Sequence, residues 1–347
     1  MSVHSVFVLD ATGKPLTPTT PAKARKLLRS GVAKKVWSKL NMFGLQMLGE
    51  TRQQVPVTTL GIDPGTKFEG YAVVCGQENV LAIKLDLSDK QQQVKKMQKR
   101  QILRRARRFR KCRRRPARFD NRSRKGFIAP SQLVMVCSRL KVLRALFAIY
   151  PIGLVGLEDV RFYHAKHRWG ANFSTVEIGK TRIRQWIEAQ GAQVTLYQGF
   201  ETQELRKQYG YRKTSDKAAD RFEAHCADAL ALACAVGGLA HIEPGTFRIV
   251  DDTYRPIRRK LHDEQPAKGG IRAVYSHATI FGVQKGRLIG ARNGNVGQLC
   301  GETTGSYRYY TVDRQRKETT LLRWISTQLI IRKPGAKKGG KRQGASR

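Results

Sequence analysis

Apolar runs of strand length and helix-length amphipathic stretches alternate along the chain. Val55 to Ile62 reads as an apolar run that Pro64 and Gly65 break, and Gly70 to Val74 and Val80 to Leu87 resume it, which predicts three successive strands. Lys90 to Arg115 holds no Gly or Pro and is built from good helix formers, so it predicts one long helix stopped by Pro116, roughly 39 Å at 1.5 Å per residue. Its apolar stripe is thin, running through Val94, Met97, Ile102 and Phe109. Ser131 to Ile149 places Leu133, Val136, Leu140, Leu143 and Leu146 at helical core spacing, and Ile152 to Val160 then reads as a buried strand. A helix over Val176 to Gln190, a strand over Ala192 to Tyr197, a short helix over Glu204 to Tyr209 and a long helix over Lys217 to Val236 follow.

Smaller patterns flank this series. Residues 4 to 48 predict a module with strands at Ser5 to Leu9, Val32 to Trp37 and Met42 to Leu48 and a basic helix at Pro21 to Arg29. After Pro244 short β-runs alternate with turn signals: Phe247 to Val250, Ile271 to Tyr275, Thr279 to Val283, Arg287 to Ala291, Tyr307 to Val312 and Leu321 to Ile331. They predict a small barrel or sandwich, ahead of a disordered Gly/Lys/Arg tail from Pro334.

Charge changes the picture most. The 347 residues hold 66 Lys and Arg against 26 Asp and Glu, a formal net charge of +40, so a polyanionic partner is expected and nucleic acid is the obvious one. Between Lys90 and Lys125 stand 18 Lys or Arg with a single acid, Asp120, a density suited to a helix laid along a phosphate backbone. No apolar run reaches the roughly 18 residues of a membrane span and no signal peptide opens the chain, so the expected compartment is the cytoplasm. Six cysteines without a C-x-x-C pair argue against a disulfide framework or a zinc ribbon.

The candidate chemistry lies in acids at the ends of predicted buried elements. Asp63 closes the first central strand, where sites in open α/β sheets gather. Glu158 and Asp159 close the fourth, and as neighbours in a strand at most one of them shares a site with Asp63. His225 and Asp228, three apart, share a face of the last helix. Three strands, a helix, a fourth strand, helix, strand and a final helix is the element order of a ribonuclease-H-like α/β fold, which brings the first and fourth strands side by side beneath the last helix. Such acids could converge on two Mg²⁺ and catalyse phosphodiester hydrolysis, with His225 as a ligand or proton shuttle.

Gly61-Ile62-Asp63-Pro64-Gly65-Thr66-Lys67, the Arg-rich helix after the third strand, Gly156-Leu157-Glu158-Asp159 and His225-Cys226-Ala227-Asp228-Ala229 together resemble the three RuvC motifs and bridge helix of the transposon-encoded IscB/IsrB family. Pro15-Leu16-Thr17-Pro18 resembles the tetrad of its PLMP domain with the Met replaced, and Gly269-Gly270-Ile271-Arg272 its target-adjacent-motif-interacting domain. Only 66 residues separate Glu158 from His225, which leaves no room for an HNH nuclease, so the IsrB type is the nearer match.

The resemblance implies a PLMP-like module (1–52), RuvC-I (53–89), bridge helix (90–125), RuvC-II (126–200), RuvC-III (201–243), target-adjacent-motif-interacting β domain (244–332) and basic tail (333–347). It further implies a monomeric ribonucleoprotein of the prokaryotic cytosol that uses a structured guide RNA to nick the displaced strand of target DNA. Asp63, Glu158, His225 and Asp228 would serve as catalytic and metal residues for two Mg²⁺ ions, or Mn²⁺ in their place. Lys99, Arg100, Arg104, Arg105, Arg107, Arg108, Arg110, Lys111, Arg113, Arg114, Arg115 and Arg118 would bind nucleic acid. Two rival readings stay open, a guide-independent transposase or resolvase with the same metal chemistry and a non-catalytic RNA-binding structural protein.

Overall fold

The computed structural model describes residues 6–51, 55–87, 90–109, 128, 130–159, 176–177, 179–217, 219–252, 288–291, 295–303, 306–311, 316–320, 322–324 and 330–332. The chain divides into two units, 1–253 with 331–334, and 254–330 with 335–347.

The first unit opens with β1 (Val6–Leu9), β2 (Pro15–Thr19), α1 (Pro21–Arg29), β3 (Ala33–Trp37) and β4 (Phe43–Met47). Their sheet has the order β2-β1-β4-β3, with β1 and β4 parallel. The strand β2 was not expected from Pro15 and Pro18; it is tolerated because it lies at the sheet edge, where a missing amide donor costs no ladder bond. Thr20 accepts a hydrogen bond from the Lys23 amide and starts α1, and Val6, Ala24, Ala33 and Leu45 form a small core.

The central layer follows from β5 (Thr58–Asp63), β6 (Phe68–Cys75) and β7 (Glu78–Asp86), then α2 (Lys90–Phe109), α3 (Pro130–Phe147), β8 (Ile152–Glu158), α4 (Lys180–Glu188), β9 (Gln193–Tyr197), α5 (Gly199–Gln208), α6 (Phe222–His225) and α7 (Ala227–Val236). In the order β7-β6-β5-β8-β9, β6 runs antiparallel to its neighbours while β5, β8 and β9 are parallel. That is the ribonuclease-H-like arrangement the element order predicts. Two additions extend the sheet beyond β7: β10 (Phe247–Asp251), parallel to β7, and a final short strand. Phe247 to Val250, expected to open the carboxyl-terminal β domain, therefore belongs to the central sheet.

Small residues decide how this sheet is covered. On one face Gly61, Ala72 and Gly156 stand side by side in register, and α7 lies directly on them. A Cβ on Gly61 would sit 1.7 Å from the Ala229 carbonyl oxygen, and one on Gly156 2.7 Å from that of Leu232. Apart from Asp228 the helix is apolar all round, and it is buried from Ala227 to Cys234, with α5 packed on it. On the opposite face Ile62, Tyr71 and Leu157 meet Arg139 and Leu143 of α3 and Ile183 of α4.

Helix α2 is described from Lys90 to Phe109, about 30 Å at 1.5 Å per residue. Its expected apolar stripe is only partly covered, since Ile102 is 64% exposed. The second unit contributes β11 (Leu288–Ala291), β12 (Val296–Thr303), β13 (Ser306–Thr311), β14 (Arg316–Thr319) and β15 (Leu322–Trp324), an antiparallel sheet of order β14-β13-β12-β11-β15. Strands β12 and β14 carry Gly, Gln, Lys and Glu and escaped the apolar pattern. The last expected run splits into β15 and β16 (Ile330–Arg332), and β16 is the final strand of the central sheet, beside β10. Expected strands at 271–275 and 279–283 and the basic tail from 333 fall outside the described residues. Among the described residues no helix is long and apolar enough to cross a membrane.

Candidate active site

Register alone brings the first two acids together. Ile62 of β5 pairs with Leu157 of the parallel strand β8, so the next residues, Asp63 and Glu158, end adjacent strands on the same sheet edge. Both side chains fall on the face that bears Gly61 and Gly156, beneath the start of α7. There the Glu158 carboxyl donates a hydrogen bond to the Asp63 carboxylate. Burial, reinforced by the charge of Asp63, pushes Glu158 up to about 8, and burial likewise raises Asp63. Gly199 at the start of α5 leaves room for this carboxyl: a Cβ there would stand 3.2 Å from Glu158 Oε1.

Asp228 enters from the first turn of α7 and adds its negative charge to both acids. It is buried and held at both oxygens: Arg206 of α5 donates from Nη1 to Oδ1 at 2.6 Å, and the Lys213 ammonium contacts Oδ2. Lys213 and, at Asp63, Lys217 partly counter the accumulated negative charge. Asp159 follows Glu158 but pairs with Lys180 instead, as opposite facing within a strand requires.

His225 keeps different company. Its Nε2 is 3.1 Å from the Ala219 carbonyl oxygen, its ring meets Phe68 edge-on at 4.9 Å, and its nearby charges are Lys84, Asp86 and Asp220. The predicted single helix from Lys217 is interrupted at Cys226, which caps α6 and precedes α7 with φ −118° and ψ −6°, so His225 and Asp228 do not share one helical face. Burial and the neighbouring Lys84 ammonium lower the His225 pKa.

Behind the carboxylates lies a buried ion pair that the sequence did not announce. Arg139 of α3 donates from Nε to Glu69 Oε2 at 2.7 Å and from Nη2 to the Gly65 carbonyl at 3.1 Å, while the Tyr71 hydroxyl donates to Glu69 Oε1 at 3.1 Å. The turn that follows Asp63 is thereby fixed from the far side of the sheet. Arg206 on α5 and Lys213 and Lys217 in the stretch after it were missed as well, because single basic residues there have the composition of any solvated face.

The donor set is all oxygen, which suits a hard dication such as Mg²⁺. Among the described residues, however, no three His, Cys, Asp or Glu side chains are drawn together closely enough to enclose an ion, and Asp228 is engaged by its two cations. Of the expected nucleic-acid contacts, Lys99, Arg100 and Arg105 are exposed on α2. Arg104, Arg107 and Arg108 lie on the same helix, and Arg110, Lys111, Arg113, Arg114, Arg115 and Arg118 are outside the described residues.

One expected outcome follows from the raised carboxyl. A folded-state pKa above the unfolded value of 4.5 means that the folded protein holds the proton more tightly, so its contribution to stability is complete below about 4.5 and is lost as pH rises through about 8. Melting temperature in EDTA should therefore fall with pH across this window, and less steeply in Glu158→Gln. Parallel profiles for the two proteins would show that Glu158 carries no raised pKa.

Residues 6–181, from β1 through α2 and β8 to the start of α4, match the RRXRR protein family. The chain belongs to that family. The RRXRR chain carries Arg104-Arg105-Ala106-Arg107-Arg108 within α2. No curated protein matches it. Among solved structures it is similar to T. thermophilus RuvC in complex with Holliday junction substrate, at 15% identity and a TM-score of 0.29 over 53% of this chain and 98% of that one. A second Thermus thermophilus RuvC structure is similar at 17% identity and a TM-score of 0.25, over 53% of this chain and 99% of that one.

Proposed function

We propose that this RRXRR protein is an RNA-guided DNA endonuclease of the IsrB type, which nicks the displaced strand of a target paired to its guide. The observation that carries the reading is the meeting of Asp63, Glu158 and Asp228 at one edge of a ribonuclease-H-like sheet, in a chain of net charge +40 with an Arg-rich helix. Membership of a family associated with IscB/IsrB-like proteins supports it.

Asp63, Glu158 and Asp228 would hold a pair of Mg²⁺ ions, which supply an activated water and charge stabilisation at the leaving oxygen. Glu158 must give up its proton to join them, so loading releases protons and strengthens as pH rises. His225 is the fourth candidate, and its contribution is separable because its contacts lie apart from the carboxylates. Lys99, Arg100 and Arg105 offer exposed cations to a guide or heteroduplex backbone, while base pairing rather than the protein selects the sequence. The antiparallel sheet of the second unit would read a short flanking motif in the duplex.

The test is to purify the protein from cells expressing its natural transcripts, sequence the RNA that accompanies it and add supercoiled DNA that matches the guide, with Mg²⁺. Conversion to open circles that requires the RNA is the expected result. Cutting that survives RNase would favour a guide-independent nuclease, and RNA binding without any cutting a structural ribonucleoprotein. In the same preparation the triple substitution Lys99→Ala, Arg100→Ala, Arg105→Ala should make the salt dependence of RNA binding shallower by about two to three units of slope. An unchanged slope would remove α2 from the interface.

A further inference from the structure

The two cations on Asp228 differ in how they are mounted. Arg206 stands in the last turn of α5, a helix packed against α7, and its side chain is 16% exposed. Lys213 belongs to the non-helical stretch between α5 and α6, and its side chain is 38% exposed. That stretch is anchored next door at Tyr211, whose hydroxyl donates to the Ile242 carbonyl at 2.9 Å, and again where the Thr214 amide donates to the Glu223 carbonyl at 3.3 Å. Between these anchors the backbone is held, and a partly exposed four-carbon stem alone carries the ammonium to Asp228.

Each carboxylate oxygen keeps a second lone pair, but two protein cations on Asp228 repel and crowd a dication at the same carboxylate, so metal binding gains when one of them lets go. One oxygen suffices for ligation, and a hydrogen bond to the other is the usual way a ligand carboxylate is oriented. An ammonium on a flexible stem releases more readily than a guanidinium on a packed helix, and it is a compact charge for a phosphate oxygen. Lys213 also lies within electrostatic reach of Asp63 and Glu158, so its charge already acts at the place where a strand would be cut.

We propose that Lys213 is an exchangeable counter-charge: it yields Asp228 to a divalent cation and passes to a phosphate of the bound strand, while Arg206 stays and positions Asp228. This rests on the carboxylates being a metal site. Two consequences are opposite in sign. Removing Lys213 frees an oxygen of Asp228 and takes one positive charge from the site, which tightens metal binding but leaves the strand's phosphate without its cation. Loss of Arg206 leaves Asp228 misplaced and weakens metal binding.

The experiment titrates Mn²⁺ alone into the full-length protein, followed by the electron paramagnetic resonance of free Mn²⁺. It compares wild type, Lys213→Met, Lys213→Gln, Arg206→Met and Asp63→Ala, each first shown by its melt in EDTA to be folded. The expected results are Mn²⁺ binding about fivefold or more tighter in both Lys213 variants, weaker in Arg206→Met and lost in Asp63→Ala. Cutting by the Lys213 variants at saturating Mn²⁺ should nevertheless fall at least about tenfold. Unchanged or weaker Mn²⁺ binding in the Lys213 variants, alongside its loss in Asp63→Ala, would overturn the exchange and spare the metal site. Full Mn²⁺ binding by Asp63→Ala would overturn the metal site and the exchange with it.

Discussion

Asp63→Ala is expected to lower DNA cleavage by at least about a thousandfold, the effect of withdrawing several kcal/mol of transition-state stabilisation, while RNA binding stays at the wild-type level. Asp63 accepts the Glu158 hydrogen bond and lies in the field of Asp228, Lys213 and Lys217, so it is the acid through which the others are tied together. No Lys or Arg of the proposed RNA surface is touched by the change. The fold should tolerate it, because the substitution removes a desolvated carboxyl rather than an apolar contact. Open-circle formation from supercoiled target, measured beside RNA affinity by filter binding, decides it. Nicking at the wild-type rate would end the assignment of the site; lost RNA binding would mean that Asp63 serves the fold instead.

Gly61→Val is expected to cost about 3 kcal/mol or more of stability and to remove cleavage with it. Overpacking typically costs about 1–3 kcal/mol where side chains can give way, but here the obstacle is helix backbone. The new Cβ would lie 1.7 Å from the Ala229 carbonyl and 2.7 Å from the Ala233 amide nitrogen, so α7 would have to lift off the sheet and carry Asp228 with it. Urea denaturation followed by far-ultraviolet circular dichroism should show the midpoint displaced to lower concentration. A wild-type midpoint would mean that α7 does not rest on Gly61.

What could be read from the chain, and what could not, divides by the range of the interactions. Strands dominated by apolar residues, such as β5, β6, β7 and β8, announce themselves, and the order of elements then prescribes the central sheet and the neighbourhood of Asp63 and Glu158. Asp228 was legible for the same reason, as an acid in a helix otherwise made of Ala, Leu, Cys and Val. Local deviations were not: the interruption at Cys226 lies in a stretch whose residues all favour or tolerate helix, and it detaches His225 from the face that spacing assigns to it. Nor could pattern place β10 beside β7, because a short β-run looks the same whether it extends an existing sheet or begins another. The partners of Asp228 stayed hidden because each is one basic residue in a sequence full of them.

The ion pair between Glu69 and Arg139 gives the carboxylate edge a rear support. Because Arg139 also grips the Gly65 carbonyl, a lesion in α3, on the side of the sheet away from α7, would loosen the turn that aims Asp63. Under the function proposed above, such an allele would still bind its guide and target, yet arrive with a blunted blade. Screens that score only target occupancy would pass it as healthy.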